Sequence, residues 1–528
     1  MPPATPDAVA TPRTSAQRLA ALHRGIVVTV LGFASGLPLA LTGQAMQAWL
    51  SMEGLDVATI GFLSLVGLPY TFKFLWAPLM DRFDLPWLGR RRGWLVATQL
   101  LLALVLLALA GTSPKGATQA FALLAVAVAF MSASQDVVID AYRTDLLPAH
   151  ERGLGASLAV AGYRLAMILS GGIALIWTDA QQGGGWSWPD VYRLMAGLMV
   201  AAAVVSATML PKLAAPPAAP ATGASIRHDL LGFLAVVAAV ALGYAFTDRV
   251  VAPAMRTLMA PLWQGSTLSA ALQGRWADLA SLLVGIGITL PLAAWAARRA
   301  RFETLLSGLA NYFSQPGAAA FLLFIVLYKL GDAFAGSLMT PFLLTSMAYS
   351  PAEVGLVNKI FGLWLTIGGA LVGGVLMLKI GLWRALLVFG VLQMASNLGF
   401  WWLAVDGKGL LPGLTIPAFD WLIVKLAAPT PVDGGLLMVI AFENLSGGMG
   451  TAAFLAFLMS LCNQRFTATQ FALLSAFASV GRVWVGPLAG VLAESIGWPS
   501  FFIVSTVAAL PALAMLWWLR ASVRALEA

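Results

Sequence analysis

Stretches of about 20 apolar residues, the length that crosses a bilayer, follow one another along almost the whole chain. They fall at 25–47, 57–79, 93–111, 118–140, 153–177, 191–211, 229–248, 277–297, 317–345, 353–377, 384–404, 435–461, 467–491 and 498–519. Charged or Gly/Pro-rich breaks separate them. Charged residues make up 10% of the 528 residues, against about a quarter in soluble globular proteins. A soluble multidomain fold is thereby excluded. Within lipid each backbone polar group must be satisfied inside its own segment, so spans of this kind are α-helices. The expected fold class is an all-α integral membrane protein with about fourteen spans.

The few charges set the orientation. There are 31 Lys and Arg against 23 Asp and Glu. With the N-terminus inside, internal loops and tails collect Arg13, Arg18, Arg24, Arg82, Arg90 to Arg92, Arg143, Arg152, Lys212, Arg227, Arg298, Arg299, Arg301, Lys379, Arg384, Arg465, Arg520 and Arg524. External loops hold Lys115, Arg249, Arg256, Arg275, Lys408 and Lys425. The bias is roughly three to one toward the inside, as the positive-inside rule requires, and it points to no nucleic acid. Cys462 is the single cysteine, and His23, His150 and His228 are far apart in hydrophilic segments. No disulfide, metal site or cofactor is expected. Residues 1–24 are polar and lack the apolar core of a signal peptide, so a cytoplasmic tail is expected.

A Pro/Ala-rich linker at 212–228 divides the spans. The expected organisation is a six-helix bundle over 25–211, two extra transmembrane helices with their loops over 229–316, a second six-helix bundle over 317–520, and a short tail at 521–528. A degraded internal echo supports two repeats: Pro78 to Phe83 with Gly89 to Arg92 in the first, and Gly374 to Leu376 with Lys379, Gly381 and Arg384 in the second. Two six-span repeats with such a loop resemble the major facilitator superfamily.

A charge at bilayer depth is costly unless it faces protein or water, so each is a functional candidate. Lys73 lies in the second span, Asp136 and Asp140 in the fourth, and Arg164 in the fifth. With the second bundle counted as spans seven to twelve, Lys329 and Asp332 fall in the seventh, Lys359 in the eighth, Glu443 in the tenth and Arg482 in the eleventh. In a two-bundle transporter these are cavity-lining and flanking helices, while the scaffold helices carry no interior charge. Ser132, Asp136, Asp140 and Arg143 share one helical face. Asp81, Arg82, Asp140 and Arg143 read as an inside gate, although Asp81–Arg82 also suits a structural latch. Lys329 and Asp332, three apart, can neutralise each other. Gln44 and Gln47 add uncharged hydrogen-bonding groups. Most tryptophans read as interfacial, and the run Gly447 to Ala453 as close helix packing.

Several stretches carry a more specific resemblance. They are Leu31-Gly32-Phe33-Ala34-Ser35-Gly36-Leu37-Pro38, Lys73 to Arg82, Ser134-Gln135-Asp136-Val137-Val138-Ile139-Asp140-Ala141-Tyr142-Arg143, Tyr328 to Phe334, Glu443 to Gly450, and Phe466 to Leu474 with Gly481-Arg482. Together they resemble the AmpG muropeptide permeases, in the group that also contains acetyl-coenzyme A transporters. The likeness covers both bundles but not the N-terminal tail or the 405–434 loop. It implies a monomeric, proton-driven importer of anhydromuropeptides across the bacterial inner membrane, feeding wall recycling and influencing β-lactamase induction. On that reading Gln44, Gln47, Gln135, Asn358 and Asn444 meet sugar hydroxyls and acetamides. Arg164, Lys329, Lys359 or Arg482 meet carboxylates, Asp136, Asp332 or Glu443 an amine, and Lys73 is a further substrate-binding candidate. As proton carrier Glu443 ranks first, having no cation within four residues, and Asp136 second. A channel, a membrane enzyme and a carrier of another substrate are the rivals. A coenzyme A thioester or a drug is the serious one, though a phosphate-rich ligand would demand an Arg/Lys cluster.

Overall fold

The computed structural model describes residues 15–526 except 77–79, 81–87, 149–151, 213–222, 303–305, 307–309, 311–312, 315–316, 422–423 and 462–466. Among the described residues twelve helices are long and apolar enough to cross a membrane, and a thirteenth, Val57–Phe72, is shorter. In chain order they are α1 (Ser15–Met52), α2 (Val57–Phe72), α3 (Arg91–Ala110), α4 (Thr118–Arg143), α5 (Leu158–Thr178) and α6 (Trp188–Thr208). Then come α7 (Arg227–Trp263), α8 (Ala270–Arg299), α9 (Ala318–Ser346), α10 (Pro351–Ile380), α11 (Leu382–Asp406), α12 (Gly434–Leu458) and α13 (Ala476–Trp518). Gly497, at φ +75°, breaks α13 at a kink, so this helix consists of two legs. A left-handed residue at such a kink is readily glycine.

Local chemistry sets the helix starts. Asp56 caps α2 by accepting from the Thr59 N–H, and Ser187, Ser269 and Ser350 cap α6, α8 and α10 in the same way. Where α5 and α10 approach one another, both widen into π-helical turns, Ile168–Ile173 and Gly355–Phe361. A Cβ on Gly355 would come within 2.6 Å of the Gly172 carbonyl oxygen, so the absent side chain permits the approach. Such turns displace the helical register and are frequent at functional sites.

Helices α1–α6 form one half and α9–α13 the other. Phe342 near the end of α9 packs on Trp498 and Phe502 at the start of the second leg of α13, and Gln47 near the end of α1 bonds to α9. The starts of α1 and α9 and the end of α13 therefore share one face of the bundle, and the opposite face is called distal here. The halves are joined toward the distal face. There Gln47 Nε2 donates to the Ser337 carbonyl at 2.8 Å, and the Ala58 N–H to Glu494 Oε1 at 2.9 Å. The Ala352 N–H likewise donates to Asp179 Oδ2 at 3.1 Å. Trp49, Leu338, Phe342 and Phe502 belong to a single buried apolar cluster that crosses the junction.

Two segments stand apart from the halves. Helices α7 and α8 lie antiparallel, Gly243 against Thr289 and Gly285 against Thr247, with much of their apolar surface exposed where lipid would lie. Between α11 and α12 run four short strands, β1 (Leu414–Ile416), β2 (Phe419–Trp421), β3 (Val424–Leu426) and β4 (Thr430–Val432). β1 pairs antiparallel with β4, and β2 with β3.

Candidate transport cavity

Between the halves, just below the distal junction, lies a cavity of about 120 Å³. Its polar wall carries Gln44 of α1, Arg164 of α5, Asn358 and Thr366 of α10, and Glu443 and Asn444 of α12. Met167, Ile168, Met339 and Leu363 complete it with apolar surface. Arg164 and Asn358 face the cavity from just before the π turn of α5 and from within that of α10. One cation from the first half thus shares a cavity with one carboxylate from the second.

Asn444 organises the acidic wall. Its Nδ2 donates to Glu443 Oε2 at 2.8 Å and to the Ile440 carbonyl at 2.9 Å, while its Oδ1 lies 2.9 Å from the Thr366 hydroxyl. On the opposite wall Gln44 Oε1 is buried without a hydrogen-bond partner among the described residues. A buried acceptor of this kind calls for a donor from ligand or water. The cavity can therefore accept from and donate to a polar ligand while holding opposite charges at two of its walls.

The other expected site residues are distributed around this centre. Ser35 Oγ donates to Asp136 Oδ1 at 2.6 Å, and Lys73 acts electrostatically on the same carboxylate. Gln135 is fully buried beside it, and neither of its amide atoms has a partner among the described residues. Gln47 is occupied by the Ser337 carbonyl at the junction. Lys329 Nζ lies 3.8 Å from Asp332 Oδ2, donates to Thr451 Oγ1 at 3.3 Å and stands 5.4 Å from the Phe454 ring centre. Asp332 lines a smaller cavity with Gln393, away from Arg164. Arg143 pairs with Asp140 at 3.1 Å, the acid 58% and the arginine 31% exposed. Asp81 and Arg82 lie outside the described residues, as do the side chains of Lys359 and Arg482. Sequence reasoning missed Ser35, Thr366 and Thr451, because hydroxyls are common in spans and only a partner marks them, and it missed Ser337, which takes part through its main-chain carbonyl.

Two helical halves around a polar cavity, each supplying a charge to it, are the architecture of an alternating-access transporter. Residues 28–419 match the model of the Major Facilitator Superfamily. The chain belongs to that superfamily and, within it, to the anhydromuropeptide permease family. It is 42% identical over 493 residues to the anhydromuropeptide permease of Escherichia coli (strain K12), which spans 93% of this chain and 79% of that relative. An uncharacterized protein of Haemophilus influenzae is 30% identical, with 93% of each chain covered. Among solved structures, a mutant of the peptide transporter POT superposes with a TM-score of 0.63 at 15% identity, covering 95% of both chains. A D-xylose-proton symporter gives 0.55 at 12% identity, covering 94% of this chain and 97% of that one. These two establish the fold alone. The protein is a multi-pass inner-membrane transporter, not an enzyme.

Proposed function

We propose that the protein imports anhydromuropeptides, GlcNAc-anhydroMurNAc peptides, from periplasm to cytoplasm by proton-driven alternating access of its two halves. The observation that carries the reading is the facing of Arg164 and Glu443 across one cavity, flanked by the amides of Gln44, Asn358 and Asn444. A glycopeptide offers carboxylates to the cation, an amine to the acid, and hydroxyls and acetamides to the amides. The 42% identity to an anhydromuropeptide permease supports that substrate class. A phosphate-rich ligand such as a coenzyme A thioester would want a cluster of cations, and a cavity of mixed sign disfavours it.

On this reading the distal face is periplasmic, both termini are cytoplasmic, and the distal seal makes the observed state inward-facing. The chain crosses the membrane fourteen times as a monomer, with α2 and both legs of α13 each counted as a pass. Its organisation is then two six-helix bundles, 25–211 and 317–520, with the linker and the extra helices between them. Glu443 is the first candidate to carry the proton and Asp136 the second. Asp140 and Arg143, with Asp81 and Arg82, belong to the inside gate. The test is uptake of labelled anhydromuropeptide in right-side-out and inverted vesicles under an imposed proton gradient. Accumulation only when the gradient points from the periplasmic side inward is expected. Unlabelled coenzyme A thioester competing better than unlabelled muropeptide would overturn the assignment.

A further inference from the structure

The α7–α8 pair and the β1–β4 segment lie outside the plan of two six-helix bundles, and both bridge the halves toward the distal face. They do so at two different seams. At the α2/α13 seam the helices are nearly in backbone contact: a Cβ on Gly61 would come 2.5 Å from the Gly486 carbonyl oxygen. Helix α8 lies over this joint. Arg275 reaches the first half, 3.2 Å from Asp56 Oδ2 and donating to Thr59 Oγ1 at 2.5 Å. The next residue, Trp276, reaches the second half, its Nε1 donating to Ser495 Oγ at 2.9 Å. Beneath them Leu272 and Leu279 share one buried cluster with Ala58 of α2 and Val491 of α13.

The α5/α10 seam is bridged by the β segment. Its base is fixed to the second half, where Asp433 Oδ2 accepts from the Gly409 N–H at 2.6 Å and the Asp433 N–H donates to Glu353 Oε1 at 2.7 Å. Further along, it reaches the first half. The Ala427 N–H donates to the Gln182 carbonyl at 2.8 Å, and Leu426, 1% exposed, packs in one cluster with Ile176 of α5 and Ala352 of α10.

We propose that the two insertions are a pair of clasps that hold the distal seams shut and must each release one half before the carrier opens to that side. The inference rests on alternating access of the two halves, and on no particular substrate. Arg275 and Trp276 are consecutive on one helix, so they cannot follow α2 and α13 as these separate. The contacts of Ala427 and Leu426 with α5 cannot survive the parting of α5 from α10. The clasps therefore favour the distally closed state by the interactions lost on opening.

The test uses full-length protein in proteoliposomes on a Cys462→Ser background, with Met167→Cys as a reporter in the cavity. Modification of the reporter by a membrane-impermeant thiol reagent from the distal side reads the open population. Trp276→Phe keeps the ring and removes the donor, Arg275→Gln removes the ion pair, and Leu426→Ala trims the buried contact. Trp276→Phe and Arg275→Gln are each expected to raise the modification rate roughly three- to tenfold, as for the loss of one or two partly exposed polar contacts, and Leu426→Ala about tenfold or more, because a fully buried leucine loses its packing. Rates within twofold of the parent for all three, in protein that still elutes as a folded species, would overturn the proposal. A second measurement joins Gln182→Cys to Ala427→Cys on the Cys462→Ser background without the reporter. Cross-linked carrier is expected to lose uptake and regain it on reduction. Full uptake by the cross-linked protein, or failure of these two positions to cross-link at all, would equally refute the clasp. Failure of the substrate assignment alone leaves the labelling result untouched, because labelling needs no substrate.

Discussion

Replacing Glu443 by glutamine separates coupling from binding. The side chain keeps its length, and an amide oxygen can still accept from Asn444 Nδ2, which sits 2.8 Å from the native Oε2. Arg164, Gln44 and Asn358 keep their places on the cavity wall. What disappears is the one ionisable group that the second half contributes to the cavity lining among the described residues. If that group carries the proton, a substrate can still cross with the rocking halves, but nothing links its movement to the gradient. One elementary charge moved through 100 mV is worth about 2.3 kcal/mol. At about 1.4 kcal/mol per tenfold, this corresponds to roughly 40-fold accumulation per proton and 100 mV. In proteoliposomes with an imposed potential, Glu443→Gln is expected to fall from that level to an inside-to-outside ratio near one. Counterflow exchange of labelled for unlabelled muropeptide should stay within a few-fold of the parent. Uphill accumulation at the parental level would refute the assignment, and Asp136→Asn becomes the next variant to measure. Loss of exchange as well would show that Glu443 holds the substrate and is not solely a coupling group.

Two further outcomes follow from the same geometry. Arg164→Gln removes the cation opposite Glu443, and a hydrogen bond to a charged group is worth about 1.5–3 kcal/mol, so half-saturation for a peptide with free carboxylates should rise roughly 10- to 100-fold. An amidated substrate should be nearly indifferent, and equal loss for both would count against a carboxylate contact. Asp140→Asn breaks an exposed pair with Arg143 on its own helix, already made in the inward-facing state and worth about 0.2–1 kcal/mol, so the change in the inward-open population from that pair should be fivefold at most. Cytoplasmic labelling of a cavity cysteine measures it, and unchanged accessibility from both sides would remove Asp140 from the gate.

The parts of this fold that were legible in the sequence are those that depend on cost. An interior charge is expensive in lipid, so its presence alone marks a helix that meets water or protein. That criterion marked nine residues, and two of them, Arg164 and Glu443, line the cavity. That they share one cavity was not legible, because they are 279 residues apart (443 minus 164) on different halves. Glu443 has no cation within four residues along its own helix, and a local search finds none. Gln47 shows the reverse problem. A buried amide must bond to something, and chain order cannot tell a ligand from a main-chain carbonyl such as that of Ser337.

Length was misjudged where composition and backbone disagree. The span expected at 229–248 continues as α7 to Trp263, because Asp248 and Arg249 sit in a π turn without ending the helix. A charge marks where a side chain prefers water, while a helix ends only where its hydrogen bonds or dihedrals fail. The strands β1–β4 are three residues each, too short for an alternation of period two to register. Part of their order comes from what they rest on: Leu426 is buried in one cluster with Ile176 and Ala352, which come together beneath it from opposite halves. Such a segment draws on the closed seam as well as on its own strand pairing. A chain read residue by residue, before the halves are brought together, contains no surface on which it could be placed.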